Sequence, residues 1–242
     1  MKISKLPLCV TALIVANSPF AYSAEKVLVR EAFDTGDAGA SVMGNSTTDG
    51  NAVWLSAGAG VGKTAVLVAP AEAKYGRDPQ GRPRLTLAAA AQGVAYVTLG
   101  YDLDKVPQFR VKIGGLVLEG TDRDFQFMIG ARKNSAAVAY GYVFQRTPSG
   151  YRILYKGAPD EKLVSVSDKD FGGLLSDVEL MVDKNTQQLY LKGQPLDTQA
   201  RPTQDSALNN QADRLDLVTI AQGTSGTFAA PKIQNLQIIV TE

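Results

Sequence analysis

Residues 137–156 read AVAYGYVFQRTPSGYRILYK, two runs rich in apolar and aromatic residues on either side of a polar turn. Thr147–Gly150 combines threonine, proline, serine and glycine, the residue types that form tight turns. The runs before and after it predict a strand over Ala137–Arg146 and a returning strand over Tyr151–Lys156. Together they indicate an antiparallel hairpin.

Upstream, two more segments alternate between apolar and polar residues, which is typical of strands with one buried face. The apolar positions are Phe109, Val111 and Ile113 in the first segment, and Phe125, Phe127 and Ile129 in the second. We expect these two strands and the hairpin to form one antiparallel meander. A later alternation over 178–182 and a return over 189–191 predict a second hairpin.

The rest of the chain continues this pattern of short apolar runs and turns, with no internal repeat and no linker. Asp34–Gly50 and Ala71–Pro83 are rich in turn residues or charged residues and are interpreted as loops. Thr198–Asp213 is polar, shows no clear strand, and is interpreted as a loop or a short helix. Roughly a dozen short strands with almost no helix are typical of a sandwich or barrel. The predicted fold is an all-β, two-sheet antiparallel jelly-roll sandwich, a single domain over residues 25–242.

Residues 1–24 have the pattern of a signal peptide. Lys2 and Lys5 precede an apolar run from Leu6 to Ala16, and small residues follow. Cleavage after Ser23 and cleavage after Ala24 both fit the pattern. We therefore expect a secreted or periplasmic protein of bacterial type, with no membrane-spanning segment.

Charge and residue usage exclude several classes of function. Lys and Arg number 25 against 24 Asp and Glu, so no basic surface favours nucleic acid. The chain has no histidine, which excludes Ser-His-Asp catalysis and histidine-ligated zinc. Its one cysteine, Cys9, lies in the predicted signal peptide, so the mature chain forms no disulfide.

Two motifs resemble chemical sites but are better explained by structure. Ala57–Thr64 resembles a phosphate-binding loop, yet alanine replaces the first glycine and the following residues predict a strand rather than a helix. No nucleotide is therefore expected. Aspartate pairs two residues apart could bind calcium or act on a sugar bond, but aspartate is also common in loops. No cofactor is predicted, and calcium is an alternative that no motif supports. The pairs are Asp102 with Asp104, Asp122 with Asp124, and Asp168 with Asp170.

A mixed polar and aromatic face is the predicted ligand site. If the strands are regular, five residues lie opposite the apolar positions: Arg110, Gln126, Tyr140, Tyr142 and Arg146. Tyrosine rings can stack on sugars, and arginine and glutamine can donate hydrogen bonds to hydroxyl groups. The structural alternative is an ordinary solvated sheet face. Trp54, the single tryptophan, is interpreted as a core residue.

Three segments resemble LamG-like jelly-roll domains of the concanavalin A-like lectin and glucanase group. They are REAFDTGDAGASVMG at 30–44, QQLYLKGQPL at 187–196 and PKIQNLQIIVTE at 231–242. Lys192 stands where those domains carry Asn or Asp before the glycine. The resemblance implies a two-sheet sandwich with one concave face, in a group of lectins, carbohydrate-binding modules, glycoside hydrolases and polysaccharide lyases.

The expected function is a non-catalytic module that binds a polysaccharide or a cell-surface glycan, or another surface partner. The chain lacks the ExDxE strand of the glucanases, and it lacks the histidine of many lyases of this fold. Tyrosine, arginine and glutamine are present, so a lyase or glycoside hydrolase without histidine remains the first alternative. A structural matrix protein with no small ligand is the second.

Overall fold

The computed structural model describes residues 25–56, 72–88, 94–100, 106, 108–118, 126–132, 141–157, 164–167, 169–184, 186–203, 214–220 and 231–241. The strands in chain order are β1 (Glu25–Glu31), β2 (Val53–Ser56), β3 (Glu72–Arg77), β4 (Pro83–Ala88), β5 (Val94–Gly100), β6 (Gln108–Gly114), β7 (Leu116–Val117), β8 (Gln126–Arg132), β9 (Gly141–Arg146), β10 (Tyr151–Lys156), β11 (Val164–Ser165), β12 (Leu174–Leu175), β13 (Val178–Asp183), β14 (Thr186–Leu191), β15 (Gln194–Pro195), β16 (Arg201–Pro202), β17 (Arg214–Ile220), β18 (Lys232–Ile233) and β19 (Asn235–Thr241). These ranges contain no helix, which confirms the all-β fold class.

The strands form three antiparallel sheets. The first sheet has the order β1-β19-β6-β13-β14-β15, with β16 also paired to β14. The second has the order β11-β10-β9-β8-β17-β5-β2, and the third β12-β7-β18-β4-β3. Strands distant in sequence are neighbours in space, as β1 and β19 show, so most of the pairing is long-range.

One core lies between the inward faces of the sheets. Val111 and Leu180 of the first sheet, Phe127 and Leu217 of the second, and Leu85 of the third are all fully or almost fully buried in the same cluster. The alternation predicted for β6 and β8 is therefore confirmed, because every second residue of each strand lies in this core. The two large sheets pack face to face as a sandwich.

Trp54 lies in this core, as predicted, and it helps to attach the loop after β1. Its Nε1 donates a hydrogen bond to Glu31 Oε2 over 2.9 Å, and its ring centroid lies 5.8 Å from that of Phe33. The fully buried Glu31 also accepts from the Phe33 backbone N–H at 2.6 Å and from Thr48 Oγ1 at 2.8 Å. These bonds satisfy a carboxylate whose burial would otherwise be costly.

Three sequence interpretations require correction. Glu72–Arg77, predicted as loop, is β3, since Ala73 and Tyr75 alternate into the core while the strand pairs with β4. Thr198–Asp213, predicted as a loop or a short helix, contains the short strand β16. The predicted meander is also wrong in part: β8, β9 and β10 do follow one another in the second sheet, but β6 belongs to the first.

Several predictions concern residues outside the described ranges. These are the signal peptide, the motif at Ala57–Thr64, the strand at Thr64–Ala69, the aspartates at 102, 104, 122, 124 and 168, and Tyr140. Within the described ranges, no helix has the length and apolar character needed to cross a bilayer.

Candidate functional site

Of the five residues predicted to share a ligand-binding face, the four that the structure describes do not lie on one surface. Arg110 is on β6 in the first sheet, whereas Gln126, Tyr142 and Arg146 are on β8 and β9 in the second. β6 pairs with β13 and β19 and makes no pairing with β8. The single face is therefore wrong, because alternation within a strand does not determine which sheet that strand joins.

Tyr142 is a core residue. It pairs with Ile129, and Phe144 two residues later pairs with Phe127, so all four side chains are on the inward face and buried. The Tyr142 ring meets Tyr155 edge-on, with the ring centroids 5.3 Å apart. Burial raises the pKa of the Tyr142 phenol well above its ordinary value.

Gln126 and Arg146 do not share a position in the strand register. Gln126 is opposite Gln145, one position out of phase with Arg146. The half-buried Arg146 guanidinium lies 5.2 Å from the centroid of the Tyr151 ring and donates to the Gly150 carbonyl oxygen at 3.4 Å. These contacts hold Arg146 at the end of the hairpin, on the inward side of the sheet.

An open groove of about 570 Å³ crosses the outer face of the first sheet. β6, β13, β19 and the turn after β14 supply its walls. The polar residues that line it are Lys112, Asp177, Glu179, Lys192, Asn235 and Gln237. Amide, carboxylate and ammonium groups thus alternate over a surface that can both donate and accept hydrogen bonds.

Strand register places the central groove residues in one row across the sheet. Gln237 pairs with Lys112, Lys112 pairs with Glu179, and Glu179 pairs with Tyr190. Residues opposite one another on neighbouring strands have Cβ atoms only about 5 Å apart, so their side chains form a continuous polar strip. The alternate positions of the same strands, such as Val111 and Leu180, carry the core.

Arg110 belongs to the charge network beside this strip. Its guanidinium donates to Glu25 and lies 3.4 Å from Glu179 Oε2. Lys112 Nζ is 3.9 Å from Glu25 Oε2 and 4.0 Å from Glu179 Oε1. Two cations therefore bridge the same two carboxylates. The hydrogen bond from Arg110, and then the charges of Arg110 and Lys112, lower the pKa of Glu25.

The other end of the groove is built from turns with unusual backbone conformation. Asp177, Lys192 and Gly193 have φ values of 54°, 51° and 72°. The Lys192 backbone N–H donates to the Asp177 carbonyl oxygen at 3.0 Å, so the two turns are held together. Nearby, a Cβ on Gly114 would come within 2.5 Å of Asn235 Oδ1, which shows how closely the Asn235 side chain covers that glycine.

A second polar cluster lies beneath β14, away from the groove. The almost fully buried Asp197 accepts two hydrogen bonds from Arg201, Nε to Oδ2 at 2.6 Å and Nη2 to Oδ1 at 3.1 Å. The Arg201 guanidinium also lies 5.7 Å from the centroid of the Tyr155 ring. The hydrogen bond with Asp197 raises the pKa of Arg201. This cluster attaches β16 to the sandwich. Because its carboxylate is buried and already paired with Arg201, the open groove is the better candidate site.

In the part of the chain that the structure describes, no three acidic, histidine or cysteine residues are grouped so as to hold a metal ion. One groove carboxylate, Glu179, already lies within 4.0 Å of Arg110 and Lys112. Calcium binding therefore stays an untested alternative. Sequence reasoning missed Glu179, Asn235, Gln237 and Lys192, although Glu179 and Gln237 follow the same alternation that indicated Arg110.

No protein-family model and no curated protein matches the chain. Among solved structures, it is similar to alginate lyase A1-II′ of polysaccharide lyase family 7, at 13% identity over 75% of this chain and 85% of that one, with a TM-score of 0.41. It is also similar to Trypanosoma rangeli sialidase in complex with sialic acid, at 13% identity over 69% of this chain but 27% of the sialidase, with a TM-score of 0.46. At these values the likeness concerns the fold alone and assigns neither family, activity nor ligand. The narrower LamG-like resemblance stays a prediction.

Proposed function

We propose that the chain is a glycan-binding module whose ligand lies along the groove on the outer face of the first sheet. The observation that carries the proposal is the polar strip Gln237–Lys112–Glu179 within an open groove. Sugar rings present hydroxyl groups that both donate and accept, and a strip with both kinds of group matches that pattern.

The shape of the groove supports a polymer rather than a small enclosed ligand. It is open to solvent and is lined by residues of neighbouring strands, so a ligand longer than the groove is not enclosed by it. Arg110 has a positioning role in this proposal, because it holds Glu179 from one side while Lys112 lies near the other carboxylate oxygen. Tyr190 adds a half-exposed ring at the end of the row.

A carbohydrate-active enzyme is the second candidate, and one observation favours it. Asp177 and Glu179 line the same groove, and glycoside hydrolases act through two carboxyl groups that flank the scissile bond. A polysaccharide lyase without histidine belongs to the same alternative. Both versions require release of shortened product, whereas the binding module requires retention of an intact polymer.

The proposal is tested with residues 25–242 and a set of soluble polysaccharides. Affinity electrophoresis and calorimetry measure binding, and reducing ends and unsaturated products are measured in parallel. Gln237→Ala should weaken binding about fivefold to tenfold, the effect of losing one or two hydrogen bonds. The matched control is Gln108→Ala. Gln108 is a glutamine on the same outer face that bonds to Asp183, outside the groove, at 3.1 Å.

Binding that falls with Gln237→Ala and not with Gln108→Ala supports the groove. Equal affinity in both variants and the wild type contradicts it. If product accumulates and Glu179→Gln abolishes the release, the enzyme alternative replaces the binding module.

A further inference from the structure

We infer that Lys192 gives the groove its selectivity, by binding an acidic substituent of the glycan. This inference rests on the proposed function and adds the ligand class. In the turn between β14 and β15, Leu191 pairs with Gln194 and leaves Lys192 and Gly193 as a two-residue loop. Both loop residues have positive φ, 51° and 72°.

A lysine is an unfavourable choice for the first position of this turn. Two-residue hairpin loops with positive φ at both positions strongly favour Asn-Gly or Asp-Gly, because most side chains strain the left-handed conformation. Lys192 occupies that position while Gly193 fits the second. Lys184 of the adjoining hairpin has the same backbone conformation away from the groove, so the strain alone assigns no function, and Lys192 is distinguished by its place in the groove wall.

The charges around the groove show what Lys192 can bind. Arg110 and Lys112 each lie within 4.0 Å of both Glu25 and Glu179, so their charges are compensated within the protein. Among the described residues, no carboxylate is within ion-pair distance of Lys192 Nζ, and its side chain is exposed. Asp177 meets Lys192 through the backbone bond alone. Lys192 therefore presents an ammonium group to the groove, suited to a carboxylate or sulfate on a sugar.

The adjoining hairpin contains a matched control. Asp183 pairs with Thr186, which leaves another two-residue loop, and its first residue is again a lysine with positive φ, Lys184 at 54°. Lys184 is exposed like Lys192 but does not line the groove. Substitution of either lysine by asparagine removes one positive charge and relieves the same backbone strain. Only Lys192→Asn changes the lining of the groove.

The experiment compares the wild type, Lys192→Asn and Lys184→Asn for binding to soluble polysaccharides that carry carboxylate groups, sulfate groups or neither. The wild type should bind an acidic class about tenfold more tightly than the neutral class, the size expected for one charge-assisted hydrogen bond, with a preference that decreases as salt is raised. Lys192→Asn should lose this preference, whereas Lys184→Asn should keep both the preference and the affinity for the neutral polymer. Both variants should melt about 2–4 °C higher than the wild type, since each relieves one strained residue.

The outcomes separate the inference from the proposed function. A preference for either acidic class that disappears in Lys192→Asn and persists in Lys184→Asn supports the inference. Equal binding of acidic and neutral polymers by the wild type, or an equal loss in both variants, overturns it and leaves the groove as a glycan site. Failure of the wild type to bind any polysaccharide overturns both.

Discussion

Tyr142 Oη donates a hydrogen bond to the backbone oxygen of Gln187 over 3.2 Å, and this bond joins the second sheet to the first across the core. Tyr142 is on β9 and Gln187 on β14, and both residues are almost fully buried. The phenol thus fills core volume and satisfies a carbonyl group at the interface of the two sheets.

Tyr142→Ala should lower the free energy of unfolding by about 3–5 kcal/mol, the usual cost of truncating a large buried aromatic residue. Tyr142→Phe removes only the hydrogen bond and should cost about 1 kcal/mol. Urea denaturation measures both. Tyr190→Ala is the control, because Tyr190 is half-exposed on the outer face and should tolerate the change better. Equal stability of Tyr142→Ala and wild type would contradict the core position.

The position of Tyr142 was available from its own strand. Phe144 is two residues later and therefore shares its face, so the apolar face of β9 includes Tyr142. The assignment of Tyr142 to a ligand face failed because tyrosine suits both a core and a binding surface. In the structure, Phe127 and Phe144 pair directly and are both buried, which fixes the inward faces of β8 and β9 and places Tyr142 on the inward face of β9.

The sheet to which β6 belongs could not be predicted from the sequence. Its alternation reports one buried face and contains no information on its neighbours, which are β13 and β19, far along the chain. The groove was missed for the same reason, since Lys112, Glu179 and Gln237 come together only through these long-range pairings. β3 was missed because charged residues and glycine, such as Lys74 and Gly76, also indicate a loop. In the structure they alternate with the buried Ala73 and Tyr75.

Glu31 should be essential for stability. Glu31→Gln replaces a carboxylate oxygen by an amide NH₂ that faces one of three hydrogen-bond donors, the Phe33 N–H, Thr48 Oγ1 or Trp54 Nε1. Loss of such a bond in a buried site should cost about 1–3 kcal/mol. Trp54 fluorescence follows the unfolding directly. Glu179→Gln, on the outer face, should cost less than about 1 kcal/mol. A reversed order of the two variants would argue against the buried position of Glu31.

The Asp197–Arg201 pair should contribute more than a pair of the same spacing whose arginine is exposed. Arg201→Ala leaves the Asp197 carboxylate, whose side chain is 2% exposed, without its cation, and should cost about 3 kcal/mol. Asp78 and Arg82 form the comparison, with the same 2.6 Å contact and the same separation of four residues. The Asp78 side chain is 7% exposed, but Arg82 is 63% exposed, and the Gln80 and Arg82 backbone N–H groups still donate to Asp78 when the arginine side chain is removed. Arg82→Ala should cost less than about 1 kcal/mol. Similar losses in thermal unfolding for the two variants would refute this difference.

The pKa of Glu25 makes the groove network sensitive to acid. Arg110 and Lys112 lower that pKa from its ordinary value of 4.5. A carboxyl whose pKa is lower in the folded than in the unfolded state stabilises the fold above the unfolded value. That contribution is lost as the pH falls through the folded value. Between pH 7 and 5, Glu25 should therefore contribute fully, and the loss should begin below about pH 4.5.

Comparison of the wild type with Glu25→Gln across this range tests that assignment. Glu25→Gln should be less stable than the wild type at pH 6, and the difference should shrink as the pH falls below 4.5, because the folded wild type then gains progressively less from the charge of Glu25. Glycan affinity should follow the same course, since Arg110 and Lys112 lose one of the two carboxylates that hold them beside the groove. Raising the salt concentration at pH 6 should reduce the difference between the two proteins, as expected for an exposed ion network. A stability difference that stays constant from pH 6 to pH 3 would show that Glu25 acts through packing rather than through its charge.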